Sequence, residues 1–379
     1  MIYLDNAAST RVRDECAAAA LAAMQTAYGN PSSSHALGRA GTAELDTARG
    51  HVAALMGVAP ECIAFTSGGT EANNLAVLSG AAANRRHGKH VITSAAEHDS
   101  VLSSAQWLAQ NGYEVTFLNP NRDGVVTAQS LADALRDDTA LVSLMLVSNE
   151  TGAVNPVAEY REVLKSRNSN ALLHTDAVQA FGKLDIKREI AAADLASASA
   201  HKIHAAKGTG ALYIRQGLHL SPRAMGGSHE HGVRAGTENV PGIAAFGEAA
   251  RLLATERPER AAHAAALREL TIRELSARVP EARFVDGKSP FILNLALPGY
   301  KSEVLMNCLE ESGICVSRSS ACKKGSRSHV LEAMRLPNEI IDSSLRVSFS
   351  MYNTADDIMA FADCVEAATR KLFRKKGRA

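Results

Sequence analysis

The sequence predicts an α/β protein: a mainly parallel sheet flanked by helices, followed by a small α+β domain. Three observations predict it. Short apolar runs alternate with helix-like segments through the first two thirds of the chain. Two of those runs end in polar, chemically capable residues, as strands do at the carboxyl edge of a parallel sheet. The character of the sequence then changes near Ala250.

In chain order, residues 1–6 enter a strand-like stretch at once. Ile63–Thr66 precedes a glycine turn and an alanine- and leucine-rich helix. His90–Ser94 precedes a helix over 101–111, and 140–147 precedes one over 157–167. Runs at 172–175, 194–199 and Gly210–Ile214 complete a series that argues for a covered, mainly parallel sheet. The charged, alanine-rich stretch 251–278 suits a long solvent-facing helix. Beyond it, runs at 291–297 and 344–350 around a helix over 302–312 suggest the small domain. Leu345, Val347 and Phe349 alternate with Arg346, Ser348 and Ser350, so this last strand should have one apolar and one polar face. We therefore expect a large domain over 14–250 and a small one made of 1–13 with 251–379.

At 379 residues the chain exceeds the usual limit of one core, in keeping with two domains. Lys and Arg total 41 against 40 Asp and Glu, so no global field favours nucleic acid or an anionic membrane. The start shows no basic region followed by an apolar one, and the longest apolar runs are far too short to span a bilayer. The six cysteines (Cys16, Cys62, Cys308, Cys315, Cys322 and Cys364) form no C-x-x-C pair and no zinc-like spacing. They are expected as reduced thiols in the cytoplasm.

The chemistry gathers at a few strand ends. Asp176 follows Leu172-Leu173-His174-Thr175, and Lys202 follows Ser197-Ala198-Ser199-Ala200-His201. An acid leaving one strand and a lysine leaving a later one can share one crevice. A carboxylate facing a pyridinium nitrogen and a lysine forming a Schiff base are what pyridoxal phosphate asks of a protein. Taken singly, Asp176 reads equally as a helix cap and Lys202 as a side chain reaching for solvent. Thr66-Ser67-Gly68-Gly69-Thr70-Glu71 lies between a strand and a helix, where glycines let the backbone close on a phosphate. It also reads as a plain strand-to-helix turn, and it gains weight only beside the lysine and the acid. His229-x-His231 with His201 and His204 lacks a Cys or Asp to complete a metal set, so no metal is expected.

Together these motifs resemble the cysteine desulfurases of the NifS/IscS type, in the class V branch of the fold-type I pyridoxal-phosphate enzymes. The likeness runs from Tyr3-Leu4-Asp5-Asn6-Ala7-Ala8 to Leu345-Arg346-Val347-Ser348. It includes Gly29-Asn30-Pro31-Ser32-Ser33-Ser34-His35, the Thr66 to Asn74 turn, His174 to Gln179 and Arg234-Ala235-Gly236-Thr237-Glu238-Asn239. The resemblance implies a mainly parallel sheet of the seven-stranded type and pyridoxal 5'-phosphate as cofactor. It implies L-cysteine as substrate, a homodimer with shared active sites, and a sulfur-accepting partner protein. Lys202 would carry the cofactor and Asp176 would hold its ring nitrogen protonated. Gln179 and Asn149 would meet the phenolic oxygen or the substrate, and His98 would stack on the ring. Gly69, Thr70, Ser199 and His201 would bind the phosphate, with Thr237 reaching the partner's. Arg346 would take the substrate carboxylate.

Cys322 would be the nucleophile, forming a persulfide as alanine leaves. Its neighbours Arg318, Lys323, Lys324 and Arg327 also make it the cysteine with the most electropositive sequence surroundings. Cys315 reads instead as a strand residue and a buried apolar one. Three features depart from the family pattern. The stretch after Cys322 is shorter by about two residues, Ser148 stands where an asparagine is common, and His231 and Val233 replace basic residues. Selenocysteine lyase or another class V reaction is the alternative reading, although transamination needs no thiol.

Overall fold

A computed structural model describes residues 1–318 and 327–372. The short strand β1 (Ile2–Tyr3) belongs to the smaller half of the molecule. The main sheet is built from β2 (Ile63–Thr66), β3 (His90–Ser94), β4 (Glu114–Leu118), β5 (Thr139–Ser143), β6 (Leu172–Asp176), β7 (Leu195–Ser199) and β8 (Gly210–Ile214). Their order is β2-β8-β7-β6-β5-β3-β4. Pairing is parallel from β7 through β6, β5 and β3 to β4, while β8 runs antiparallel to both of its neighbours. The inner strands are buried at nearly every position, which is why they read as apolar runs rather than as alternating ones.

The predicted run 140–147 is a strand only as far as Ser143. Beyond it the chain leaves the ladder, and Leu144 N–H and Leu146 N–H donate to the carbonyls of His174 and Asp176. Strand β4 and the helices Asp14–Thr26 and Ala36–Met56 stand outside the series legible in the sequence. Strand β4 lies at the sheet edge and is largely half-exposed, so it lacks the apolar run of its neighbours. His174 is a polar strut inside the sheet, its ring joining Ser143 Oγ at 2.8 Å and Ser197 Oγ at 3.1 Å. Burial pushes its pKa down to about 3, so the ring is neutral.

The long helix begins at Val240, earlier than its charged part suggests, and runs to Arg278. The Asn239 side chain accepts from Gly242 N–H at 3.2 Å and caps it. Its apolar first third packs in the core under the main sheet, with Phe246, Ala249 and Leu253. Ala264, Leu267 and Leu275 belong to a second core. That core lies on an antiparallel sheet of β9 (Arg283–Val285), β10 (Ile292–Ala296), β12 (Ser317–Arg318) and β13 (Ser344–Ser348), in the order β12-β13-β10-β9. Between them in sequence, β11 (Ile314–Cys315) pairs parallel with β1. Cys315 is thus a strand residue as expected, but half-buried rather than enclosed.

The polar face of β13 is buried, not solvated. The N-terminal segment covers it: Ala7 N–H donates to Ser348 Oγ at 2.8 Å, and Ser348 N–H to Leu4 O at 2.8 Å. Residues 4–8 therefore lie between β13 and the carboxyl edge of the main sheet.

Candidate active site

A cavity of about 730 Å³ opens where these two parts meet. Ten of the residues selected from the sequence line it: Gly69, Thr70, His98, Asn149, Asp176, Gln179, Ser199, His201, Lys202 and Arg346. Thr237 is exposed and does not line it. Cys322 lies outside the described residues.

Asp176 ends β6 and Ser199 ends β7, and the parallel register sets Asp176 opposite Ser197. Two donors fix the Asp176 carboxylate, Asn73 Nδ2 at 2.7 Å and Val178 N–H at 2.9 Å. Lys202 follows β7 in a single helical turn, and its Nζ donates to Ala7 O at 2.7 Å and Ala8 O at 2.8 Å. The N-terminal segment thus holds the lysine as well as covering β13. His201 accompanies it, with Nδ1 at 3.2 Å from Ser9 Oγ. Burial, aided by Lys202, brings the His201 pKa down to about 4.

His98 caps the Asp99–Gln110 helix, and its Nδ1 accepts from Ser100 N–H at 3.2 Å. That contact leaves Nε2 as the ring nitrogen free to carry a proton. Also lining the cavity, Gly69 has no room for a side chain: a Cβ there would lie 2.7 Å from Val178 Cγ2, so only glycine lets the turn approach so closely. Ser199 Oγ is buried, with no partner among the described residues.

Four further residues of the site escaped sequence reading. Asn73 holds Asp176 and also donates to Ser100 Oγ at 2.9 Å, linking acid to histidine cap. Glu97 is fully buried with one oxygen on Met145 N–H and the other unpartnered among the described residues. Burial, then the charge of Asp176, raises its pKa well above the carboxylate range. Glu150 lines the cavity and accepts from Ser328 Oγ at 2.5 Å. Lys183 donates to Gln179 Oε1 at 2.9 Å from behind the wall. Charged residues of this kind read as surface in a sequence, and only the fold reveals that they are enclosed.

The donor set fits pyridoxal phosphate. A buried hydroxyl on Ser199, unpartnered among the described residues, and a glycine-only turn line the same cavity as a fixed carboxylate and a lysine. Fold and cavity together define a pyridoxal-phosphate-dependent enzyme of the α/β type.

Comparison with known proteins narrows this. The aminotransferase class-V family model matches residues 2–361. The chain is 40% identical to the putative cysteine desulfurase IscS 1 of Bacillus subtilis over 377 residues, covering 98% of this chain and 99% of that one. It is 39% identical to the cysteine desulfurase IscS of Methanosarcina thermophila over 98% of this chain and 92% of that one. Among solved structures, a NifS-like protein superposes with a TM-score of 0.92 at 34% identity, covering 98% of this chain and all of the other. A NifS-like protein from Rickettsia africae does so with 0.86 at 30% identity, covering 98% and 99%. The chain belongs to the class-V aminotransferase family, in its NifS/IscS cysteine desulfurase branch.

Proposed function

We propose that this protein is an L-cysteine desulfurase. In this reading it works as a cytoplasmic homodimer, yields alanine, and passes sulfur from a persulfide on Cys322 to an acceptor protein of iron–sulfur assembly or thiolation. One observation carries the reading: Lys202, Asp176 and Arg346 line a single cavity in a chain about 40% identical to named desulfurases over its whole length. The large domain of 14–250 supplies the cofactor cradle, and residues 1–13 with 251–379 supply Arg346 and Cys322.

Gly69, Thr70, Ser199 and His201 would hold the phosphate, with Thr237 serving the partner's site. Asp176 would face the ring nitrogen, His98 the ring, and Asn149 and Gln179 the phenolic side. Pyridoxal phosphate, when bound, supplies the electron sink that lets a bond at the substrate α-carbon break. Lys202 Nζ takes the α-proton. Arg346 holds the carboxylate and so sets which bond is presented to Lys202. The Cys322 thiolate attacks the substrate sulfur: the carbon–sulfur bond breaks, a sulfur–sulfur bond forms, and alanine departs. L-cysteine and one thiol become alanine and one persulfide, with no external oxidant.

The test is alanine and sulfide release from L-cysteine with a reductant, for wild type beside Cys322→Ala. Equal yields of both products in wild type, lost in the variant, are expected. A cofactor-loaded wild type that forms no alanine would overturn the reading. Among the described residues no helix is long and apolar enough to cross a membrane.

A further inference from the structure

Lys183 has no place in the chemistry above, yet it is a buried cation next to the site. It is 9% exposed, lies outside the residues lining the cavity, and has the Phe291 ring centroid 5.9 Å from its Nζ. Among the described residues no carboxylate pairs with it, and the charges that face it are those of Lys202 and Arg346. His201 and His204 in turn feel its charge. Burial, then those two cations, holds its pKa down at about 7. An ammonium so placed works against folding unless something uses it.

What it touches is Gln179 Oε1, at 2.9 Å. In its ammonium form Lys183 only donates, and in that form it admits the carbonyl end of the Gln179 amide and excludes the NH2 end. The amide nitrogen is thereby turned to Ala7 O, 2.9 Å away, the same carbonyl that accepts from Lys202 Nζ at 2.7 Å. One of its two N–H groups goes to Ala7, and the other is left for an occupant of the cavity that Gln179 lines. Ala7 O, which can only accept, asks for the same orientation, so the Lys183 ammonium and the Ala7 carbonyl hold the carboxamide from its two ends.

We propose that Lys183 is a positioning residue for the cofactor: it sets the rotamer end of Gln179 so that a fixed N–H donor meets the phenolic oxygen of pyridoxal phosphate. The proposal rests on reading the cavity as the cofactor site.

The experiment uses full-length protein: wild type, Lys183→Met, Lys183→Arg, Gln179→Leu, the Lys183→Met/Gln179→Leu double variant and Lys202→Ala. The apoenzyme's affinity for pyridoxal phosphate is measured by equilibrium dialysis, and the visible absorption of the loaded enzyme is followed against pH. Lys183→Met should weaken cofactor binding by about tenfold or more, the worth of a charge-assisted hydrogen bond. It should also displace the midpoint of the absorption profile, whereas Lys183→Arg keeps the donor and stays near wild type. Thermal stability of the Lys183→Met apoenzyme should match or exceed wild type, because a buried unpaired charge is removed. On the Gln179→Leu background, Lys183→Met should cost no further affinity.

Wild-type affinity and absorption in Lys183→Met, or losses that simply add in the double variant, overturn the proposal. Should Lys183→Met not fold, Lys183→Gln carries the same comparison, since its amide accepts either end of Gln179. A wild type that does not bind pyridoxal phosphate, or a Lys202→Ala variant that keeps the covalent absorption band, overturns the cofactor-site reading and this proposal with it.

Discussion

Arg346 Nη2 lies 2.9 Å from Asp5 Oδ1, and only 3% of the arginine side chain is exposed. The pair joins β13 to the N-terminal segment, whose Asp5 also bridges to Ser348. Nη1 donates to Asn149 O at 3.0 Å, while Nε is buried without a partner among the described residues. The fork is thus held from two sides at the wall of the cavity, where the proposed function has it take the substrate carboxylate. An orphaned buried donor costs stability by itself, and a planar guanidinium suits a carboxylate better than a point charge does.

Arg346→Lys should therefore raise KM for L-cysteine by at least about thirtyfold, because a point charge cannot reproduce the planar fork. Asp5→Asn keeps the shape but loses the ionic hold, so a rise of only several-fold is expected. Steady-state alanine formation separates KM from kcat. An unchanged KM in Arg346→Lys would mean that the carboxylate binds elsewhere.

Asp176→Asn should leave the protein folded and able to take up pyridoxal phosphate, yet lower kcat by about a hundredfold or more. The substitution removes the negative charge, and its new NH2 would also confront the donor of Asn73, now 2.7 Å away. Single-turnover alanine formation in loaded enzyme is the measurement. Asp176→Glu, which restores the charge, should recover part of the loss.

Much of this site was legible because its parts sit at strand ends. Asp176 and Lys202 follow apolar runs that declare themselves as strands, and the glycine turn at Gly68-Gly69 marks the strand-to-helix join. Lys183, Glu97 and Glu150 were not legible. Nothing local distinguishes an enclosed charge from a solvated one, and the covering elements come from more than a hundred positions away in contacts such as Glu150 to Ser328. Strand β13 shows the same limit. Its alternation was correct, but a solvated polar face and one covered by residues 4–8 have the same pattern.

The segment before Thr237 hangs on a buried ion pair. Arg49 Nη1 and Nη2 meet the two oxygens of Glu230 at 2.7 and 3.1 Å, and Glu230 also accepts from Phe65 N–H at 2.8 Å. Glu230 itself adopts φ of +46°, so the backbone bends to deliver the carboxylate. Arg49→Met strands a buried charge and should lower stability by about 3–5 kcal/mol. Adding Glu230→Gln should recover part of that loss, since the stranded charge goes too. Urea unfolding of the three proteins decides it, and a loss in Arg49→Met below the smaller figure would show water compensating the pair.

Glu150 should make stability depend on pH in a defined window. Burial raises its carboxyl from the ordinary 4.5 to about 7, opposed by the Ser328 hydrogen bond and the charges of His329 and Arg346, and reinforced by Asp99. A raised folded-state pKa means that the native protein holds a proton the unfolded chain has released. This contribution is fully present below about pH 4.5 and declines as pH rises, until it is gone above about pH 7. Glu150→Gln keeps the shape and cannot titrate, so the variant should lack this decline. The stability difference, wild type minus variant, should then fall by roughly 3 kcal/mol across the window. Taking the difference cancels groups that do not interact with Glu150, such as Glu97 and Lys183. Urea midpoints at several pH values give it directly. A difference that stays flat would mean that the Glu150 carboxyl titrates as it does in water, and that its enclosure beside Ser328 has no hold on its proton.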